Sequence, residues 1–189
     1  MRILLLYFIT LISPWLLSSQ TDEIPEPYYI KSVQFQGGTN QAQLPIIRLG
    51  GRLALSFDDL RADEADYYYR ITHYNFDWTP SDLSKGEYLD GFDDVRIEQY
   101  VNSFNSLQLY AHYQLAFPNR EMRAIKKSGN YMIHIFNDDG ALVFSRKFMV
   151  IEDQVTVGVA IKRSRDLAFS DTKQTVQFTI YSSDKLLIN

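Results

Sequence analysis

With 189 residues, 46% of them apolar and 22% charged, the chain is long and apolar enough to bury a core, and with no cysteine it has neither a disulfide nor a thiolate metal site. A net charge of -4 argues against a nucleic-acid binder, which needs a surplus of Lys and Arg to meet phosphate. The 13 tyrosines and 12 phenylalanines suit half-buried strand faces and flat contact surfaces.

Met1-Arg2 is followed by an apolar run from Ile3 to Ile12, then Pro14, Leu16-Leu17 and Ser18-Ser19-Gln20. One positive charge, a short apolar stretch and small residues make a secretory signal peptide, residues 1–19, which is too short and too interrupted to read as a bilayer span. The mature chain is expected outside the cytoplasm and not inserted in the membrane. Pro25 and Pro27 keep the lead-in extended.

A first strand is predicted over Tyr28 to Gln36, closed by a turn at Gly37-Gly38-Thr39-Asn40, and a short second one over Leu44 to Arg48. Leu53, Leu55 and Phe57 alternate with Arg52, Ala54 and Ser56, the pattern of a strand buried on one face. Ala65 to Asn75 carries rings on both faces, as a central strand does. Thr79-Pro80-Ser81-Asp82 predicts a short helical turn, with a cap and a proline at its first position. The alternation from Asn105 to Phe117 predicts the longest strand, ended by Pro118-Asn119. Tyr131 to Phe136 and Leu142 to Ile151 flank Asn137-Asp138-Asp139-Gly140, a strong hairpin signal. Val155 to Lys162 and Thr175 to Tyr181 are two further strands.

Short strands at close spacing, without one long helix, predict an all-β chain. It reads as an immunoglobulin-like antiparallel β-sandwich over residues 20–152, with about seven strands between Tyr28 and Ile151. Residues 153–189 supply two strands, too few to bury each other, and read as the start of a second β domain, incomplete here.

Chemistry is sparse. His73, His112 and His134 lie far apart without a ligand spacing, so no metal is predicted. There is no Gly-x-Ser-x-Gly elbow and no glycine-rich loop before a helix, so neither a nucleophile nor a cofactor is expected. Asp58-Asp59, Asp93-Asp94 and Asp138-Asp139 read as solvated turn acids. The segment that stands out is Tyr67 to Trp78. Its rings suit a carbohydrate-stacking platform, a protein interface, or a core strand ending in a corner. Tyr68, Tyr74 and Trp78, with Tyr110 and His112, are the candidate partner or ligand surface.

One ordered set of segments runs from Tyr69 to Trp78 with Pro80-Ser81 and Leu83, through Glu87-Tyr88-Leu89 with Gly91-Phe92, to Ser103-Phe104-Asn105. Tyr110-Ala111-His112-Tyr113 with Phe117-Pro118-Asn119, Ser128-Gly129-Asn130-Tyr131 and Arg146 to Val150 complete it. In order and spacing this set resembles the N-terminal domain of the Plug family of the type IX secretion system. The resemblance implies a non-enzymatic periplasmic subunit, peripheral to the outer membrane, that docks on the outer-membrane translocon β-barrel and seals its periplasmic opening. It also implies that Gln174 to Ile180 opens a second domain, since members of that family are longer. The alternative from another class is an exported carbohydrate-binding β-sandwich module.

Overall fold

The computed structural model describes residues 21–37, 44–92 and 94–182, so the expected signal peptide and most of the Gly37–Asn40 turn lie outside the described residues. Among those residues the chain is all-β and divides into two units, Met1–Ile151 and Glu152–Asn189.

In the first unit, β1 (Ile30–Gly37), β3 (Leu53–Asp59), β8 (Ala111–Phe117) and β7 (Gln99–Asn102) form a four-stranded sheet in the order β1-β3-β8-β7. The second sheet has five strands in the order β2-β11-β10-β4-β6, built from β2 (Ile46–Arg48), β11 (Leu142–Ile151), β10 (Gly129–Asn137), β4 (Tyr67–Tyr74) and β6 (Val95–Arg96). The pairing is antiparallel except for β2, which runs parallel to the end of β11, where an antiparallel sandwich was expected throughout. A two-stranded ribbon of β5 (Leu89–Gly91) and β9 (Met122–Ile125) follows the short helix α1 (Lys85–Tyr88).

The period-2 pattern determines what each sheet buries. Leu53, Leu55 and Phe57 of β3 and Tyr113, Leu115 and Phe117 of β8 face inward, against Tyr67, Tyr69 and Ile71 of β4 and Tyr131, Ile133 and Ile135 of β10. Two ring clusters fill the two ends of this core. At one end Phe57 lies 5.2 Å from Tyr67, 5.2 Å from Tyr113 and 5.3 Å from Phe144. At the other, Phe148 lies 5.7 Å from both Phe35 and Phe117 and 5.2 Å from Tyr131.

Three sequence expectations change. The strand expected from Asn105 begins only at Ala111, leaving Ser103 to Tyr110 as a loop, and the longest strand is β11 with 10 residues. Thr79-Pro80 forms no helical turn: Pro80 bridges back to Tyr74, and the helix begins after Ser84, whose N–H and hydroxyl both donate to Glu87 at 2.8 and 2.7 Å. Asp58 and Asp59 are not turn acids but the last residues of β3, and Asp59 is 0% exposed.

The lead-in covers an edge. β11 pairs with β2 only from Met149 onward. Ahead of that point Ser145 N–H donates to Ile24 O at 3.0 Å, Lys147 N–H donates to Glu23 at 2.5 Å, and Arg146 pairs with Glu26. Backbone donors of an open edge strand invite pairing with other chains, and the extended Asp22–Pro27 stretch satisfies them here.

The second unit is the hairpin of β12 (Val155–Arg163) and β13 (Gln174–Ser182), joined across a 3-10 turn at Leu167–Phe169. Val157, Val159 and Ile161 stand opposite Ile180, Phe178 and Val176, and all six are exposed.

Candidate functional site

The candidate residues do not converge. Tyr68 and Tyr74 lie on the outer face of β4 but at opposite ends of it. Tyr68 lines a shallow hollow of about 190 Å³ with Arg70, Asp94 and Phe136, in which the Arg70 guanidinium sits 4.4 Å over the Phe136 ring and pairs with Asp94 at 2.8 Å. His112 belongs to β8 of the other sheet, and Tyr110 to the loop just before it.

Tyr74 and Trp78 do meet, with ring centroids 6.1 Å apart. The turn that brings them together follows from its residues: Asp77 accepts from Thr79 N–H at 3.1 Å and its hydroxyl at 2.7 Å, while Trp78 takes a left-handed φ of 64°. The indole lies across the outer face of the five-stranded sheet, with Lys147 Nζ 4.5 Å from its ring, and Thr21 N–H donates to the Trp78 backbone carbonyl at 3.1 Å. Tyr74 is only 4% exposed, so of this pair the half-buried Trp78 indole is the ring that reaches the surface.

His73 is a core histidine. Its Nδ1 lies 2.8 Å from Ser81 Oγ and its Nε2 3.4 Å from Ser128 O, and its ring packs 4.9 Å from Tyr131 and 5.7 Å from Tyr88. A Cβ at Gly129, whose φ is +144°, would stand 2.5 Å from His73 Nε2, so only glycine lets β10 begin there. Burial pushes the His73 pKa down, the Lys127 charge adds to this, and the Ser128 carbonyl opposes it. Burial also lowers that of His134, helped by Arg70 and Lys85. Both histidines are therefore held neutral in the fold and gain a proton more readily when unfolded. Stability is expected to be flat above the ordinary histidine value of 6.5 and to fall as pH drops below it, before any carboxylate titrates. Urea midpoints at about pH 7.5 and about pH 5.5 check this, and an unchanged midpoint would contradict it.

His112 Nδ1 lies 2.6 Å from Asp58 Oδ1 on the outer face of the four-stranded sheet. Tyr110 closes the β7–β8 loop: Ser103 N–H donates to Tyr110 O at 2.8 Å, and Tyr110 N–H donates to Ser103 Oγ at 2.9 Å. This loop exposes three apolar side chains, of which Leu107 and Leu109 fall within the strand expected from sequence: Phe104 is 95% exposed, Leu107 111% and Leu109 55%. The signal that marks the loop is Asn102-Ser103 followed by Asn105-Ser106, two pairs of turn formers inside an apparently alternating run. Among the described residues no group of three or more His, Asp or Glu could hold a metal ion, and no helix is long and apolar enough to cross a membrane.

With this geometry, the model of the type 9 secretion system plug protein, first domain, matches residues 30–152, nearly the whole sandwich. The chain belongs to the type 9 secretion system plug family. This plug-family chain is similar to the crystal structure of a hypothetical protein from Parabacteroides merdae ATCC 43184, with a TM-score of 0.75 and 28% identity over 90% of its length. It spans 44% of that solved chain. The alkylpurine DNA glycosylase AlkC of Pseudomonas fluorescens, bound to abasic-site DNA, aligns over 64% of this chain and 29% of its own at 16% identity, and its TM-score of 0.35 carries no argument. None of the curated proteins matches the chain. Plug-family membership assigns the sandwich to a secretion-system component.

Proposed function

We propose that the chain is the first part of a non-enzymatic periplasmic subunit, peripheral to the outer membrane, that docks on the type IX translocon β-barrel and seals its periplasmic opening. The observation that carries the reading is the plug-family match over residues 30–152. The physics agrees with it: a pore wide enough for folded cargo leaks solutes unless something rigid closes it, and a packed sandwich displayed by its loops can close it and still be displaced. Sealing needs shape and a docking face.

The β12–β13 hairpin, in this reading, is the first pair of strands of a second β domain. Its support is the row of Val159 opposite Phe178, 59% and 64% exposed, which two strands cannot bury by themselves, and the greater length of the similar solved chain.

The test is capture from detergent-solubilised outer membranes by the tagged full-length gene product. The expected result is recovery of a very large β-barrel, identified by mass spectrometry, and a block of dye release when the protein is added to vesicles holding that barrel. A chain that recovers no barrel, or leaves the vesicles leaking, overturns the reading.

A further inference from the structure

From Gln99 to Asn119 the sequence contains no Asp, Glu, Lys or Arg, in a chain that is 22% charged. The register shows where that stretch goes. β7 and β8 lie at one side of the four-stranded sheet, and their outward residues line up with those of β3 and β1 in cross-strand rows. Gln36, Ala54 and Ala116 form one row, and Gln34, Ser56, Gln114 and Gln99 the next. These seven residues are exposed or half-exposed and carry no charge, and they surround a shallow trough of about 310 Å³. The following row carries Lys31, the Asp58–His112 pair and exposed Val101, and beyond it the same strands run into the loop that displays Phe104, Leu107 and Leu109.

The loop is held in place. Gln108 Nε2 donates to Leu60 O at 3.1 Å, Ser106 Oγ to Gln108 O at 2.8 Å, and Asn102 Nδ2 to Glu64 at 2.5 Å. Its apolar side chains are therefore displayed on an ordered frame, so less conformational entropy is lost when they dock. The outer face of the other sheet has the opposite character. It carries Arg70, Arg96 and Lys147 and is crossed by Trp78.

We infer that the outer face of the four-stranded sheet, together with the β7–β8 loop, is the docking face, and that it takes a protein surface offering an apolar pocket to Phe104 and Leu107 and an uncharged, hydrogen-bonding wall to the glutamines. This rests on the plug reading, in which that surface is the periplasmic mouth of the barrel. The charge pattern selects the occupant. Exposed Asp63 and Glu64 stand beside the loop and repel an anionic bilayer, and carboxamides are costly to sink into lipid. An apolar anchor beside an uncharged polar field is the anatomy of a protein interface.

The test uses the tagged full-length protein and the captured barrel. Ala116→Arg, and separately Phe104→Ser with Leu107→Ser, are expected to lower barrel recovery about tenfold or more, while Phe76→Ser, which removes an equally exposed ring at the opposite end, changes it less than about twofold. A photoreactive p-benzoylphenylalanine in place of Phe104 is expected to give an adduct with the barrel in the captured complex, a readout that does not depend on a destabilising change. Equal recovery by wild type and both variants, or no adduct in a complex that does form, overturns this face and leaves the plug reading standing. Recovery of no barrel by wild type overturns both. Wild-type binding to vesicles of phosphatidylethanolamine and phosphatidylglycerol that Phe104→Ser with Leu107→Ser abolishes, or glycan-array binding that Ala116→Arg abolishes, replaces the protein partner with lipid or carbohydrate.

Discussion

Phe57→Ala is expected to cost about 3–5 kcal/mol of unfolding free energy, a drop in melting temperature of about 10 °C or more. Phe57 is 1% exposed and sits where both sheets meet. Its ring stacks on Tyr113 at an interplanar angle of 11° and meets Tyr67 and Phe144 edge-on, at 87° and 81°. Removing it deletes three ring contacts at once and leaves a hole that the neighbours cannot close. Tyr113 is tied to Ala65 O at 2.7 Å and Tyr67 to Asp59 at 2.6 Å, so neither ring can slide in to refill it. Phe57→Leu keeps most of the volume and is expected to lose less than about half as much. Urea unfolding followed by tyrosine and tryptophan fluorescence measures both. A loss under about 1 kcal/mol for the alanine variant would mean that this end of the core is loosely packed.

The sandwich itself was legible because its long strands alternate cleanly. β3 shows how far that signal reaches: the phase that turns Leu53, Leu55 and Phe57 inward also turns Asp59 inward, although the Asp-Asp pair resembles a turn. β1 carries its own irregularity in sequence, since Ile30 and Phe35 are both buried although an odd number of steps separates them. The structure resolves this with a bulge between Lys31 and Gln34, where Ser32 has a φ of 53°. What could not be read were β5, β6, β7 and β9, strands of two to four residues that tertiary pairing creates and no local period announces. The loop before β8 mimics a strand for the opposite reason. Leu107 and Leu109 share the phase of Tyr113 and Leu115, so the alternation ran on past the true start of the strand. The candidate site suffered from the same limit. Ring density marked β4, yet burial took Tyr74, and the uncharged face lies on strands whose pairing only the fold reveals.

Asp59→Ala is expected to cost about 3 kcal/mol, and the effect is distinguishable from simple loss of a contact. The Asp59 carboxylate accepts from Arg61 N–H at 3.0 Å, from the Arg61 guanidinium at 2.8 Å and from Tyr67 OH at 2.6 Å. Burial acts to raise its pKa, but these bonds together outweigh that and hold it below the ordinary value of 3.8. Its stabilisation is thus complete above that value and is lost as pH falls through the depressed pKa, well below the histidine window. Without the carboxylate, the phenol of Tyr67, 0% exposed, keeps a hydrogen with no acceptor. Tyr67→Phe alone is expected to cost about 1–2 kcal/mol, and the double variant less than the sum by about 1 kcal/mol, because the stranded hydroxyl is then absent. Strict additivity in that cycle would show that the three groups do not act as a unit. The network also bears on the docking face proposed above. Arg61 lies 4.1 Å over the Tyr29 ring and sits between Leu60, whose carbonyl, and Glu64, whose carboxylate, anchor the β7–β8 loop. A folded Asp59→Asn protein is therefore expected to present Phe104 and Leu107 less rigidly and to capture the barrel more weakly, with amide exchange in residues 103–110 rising alongside.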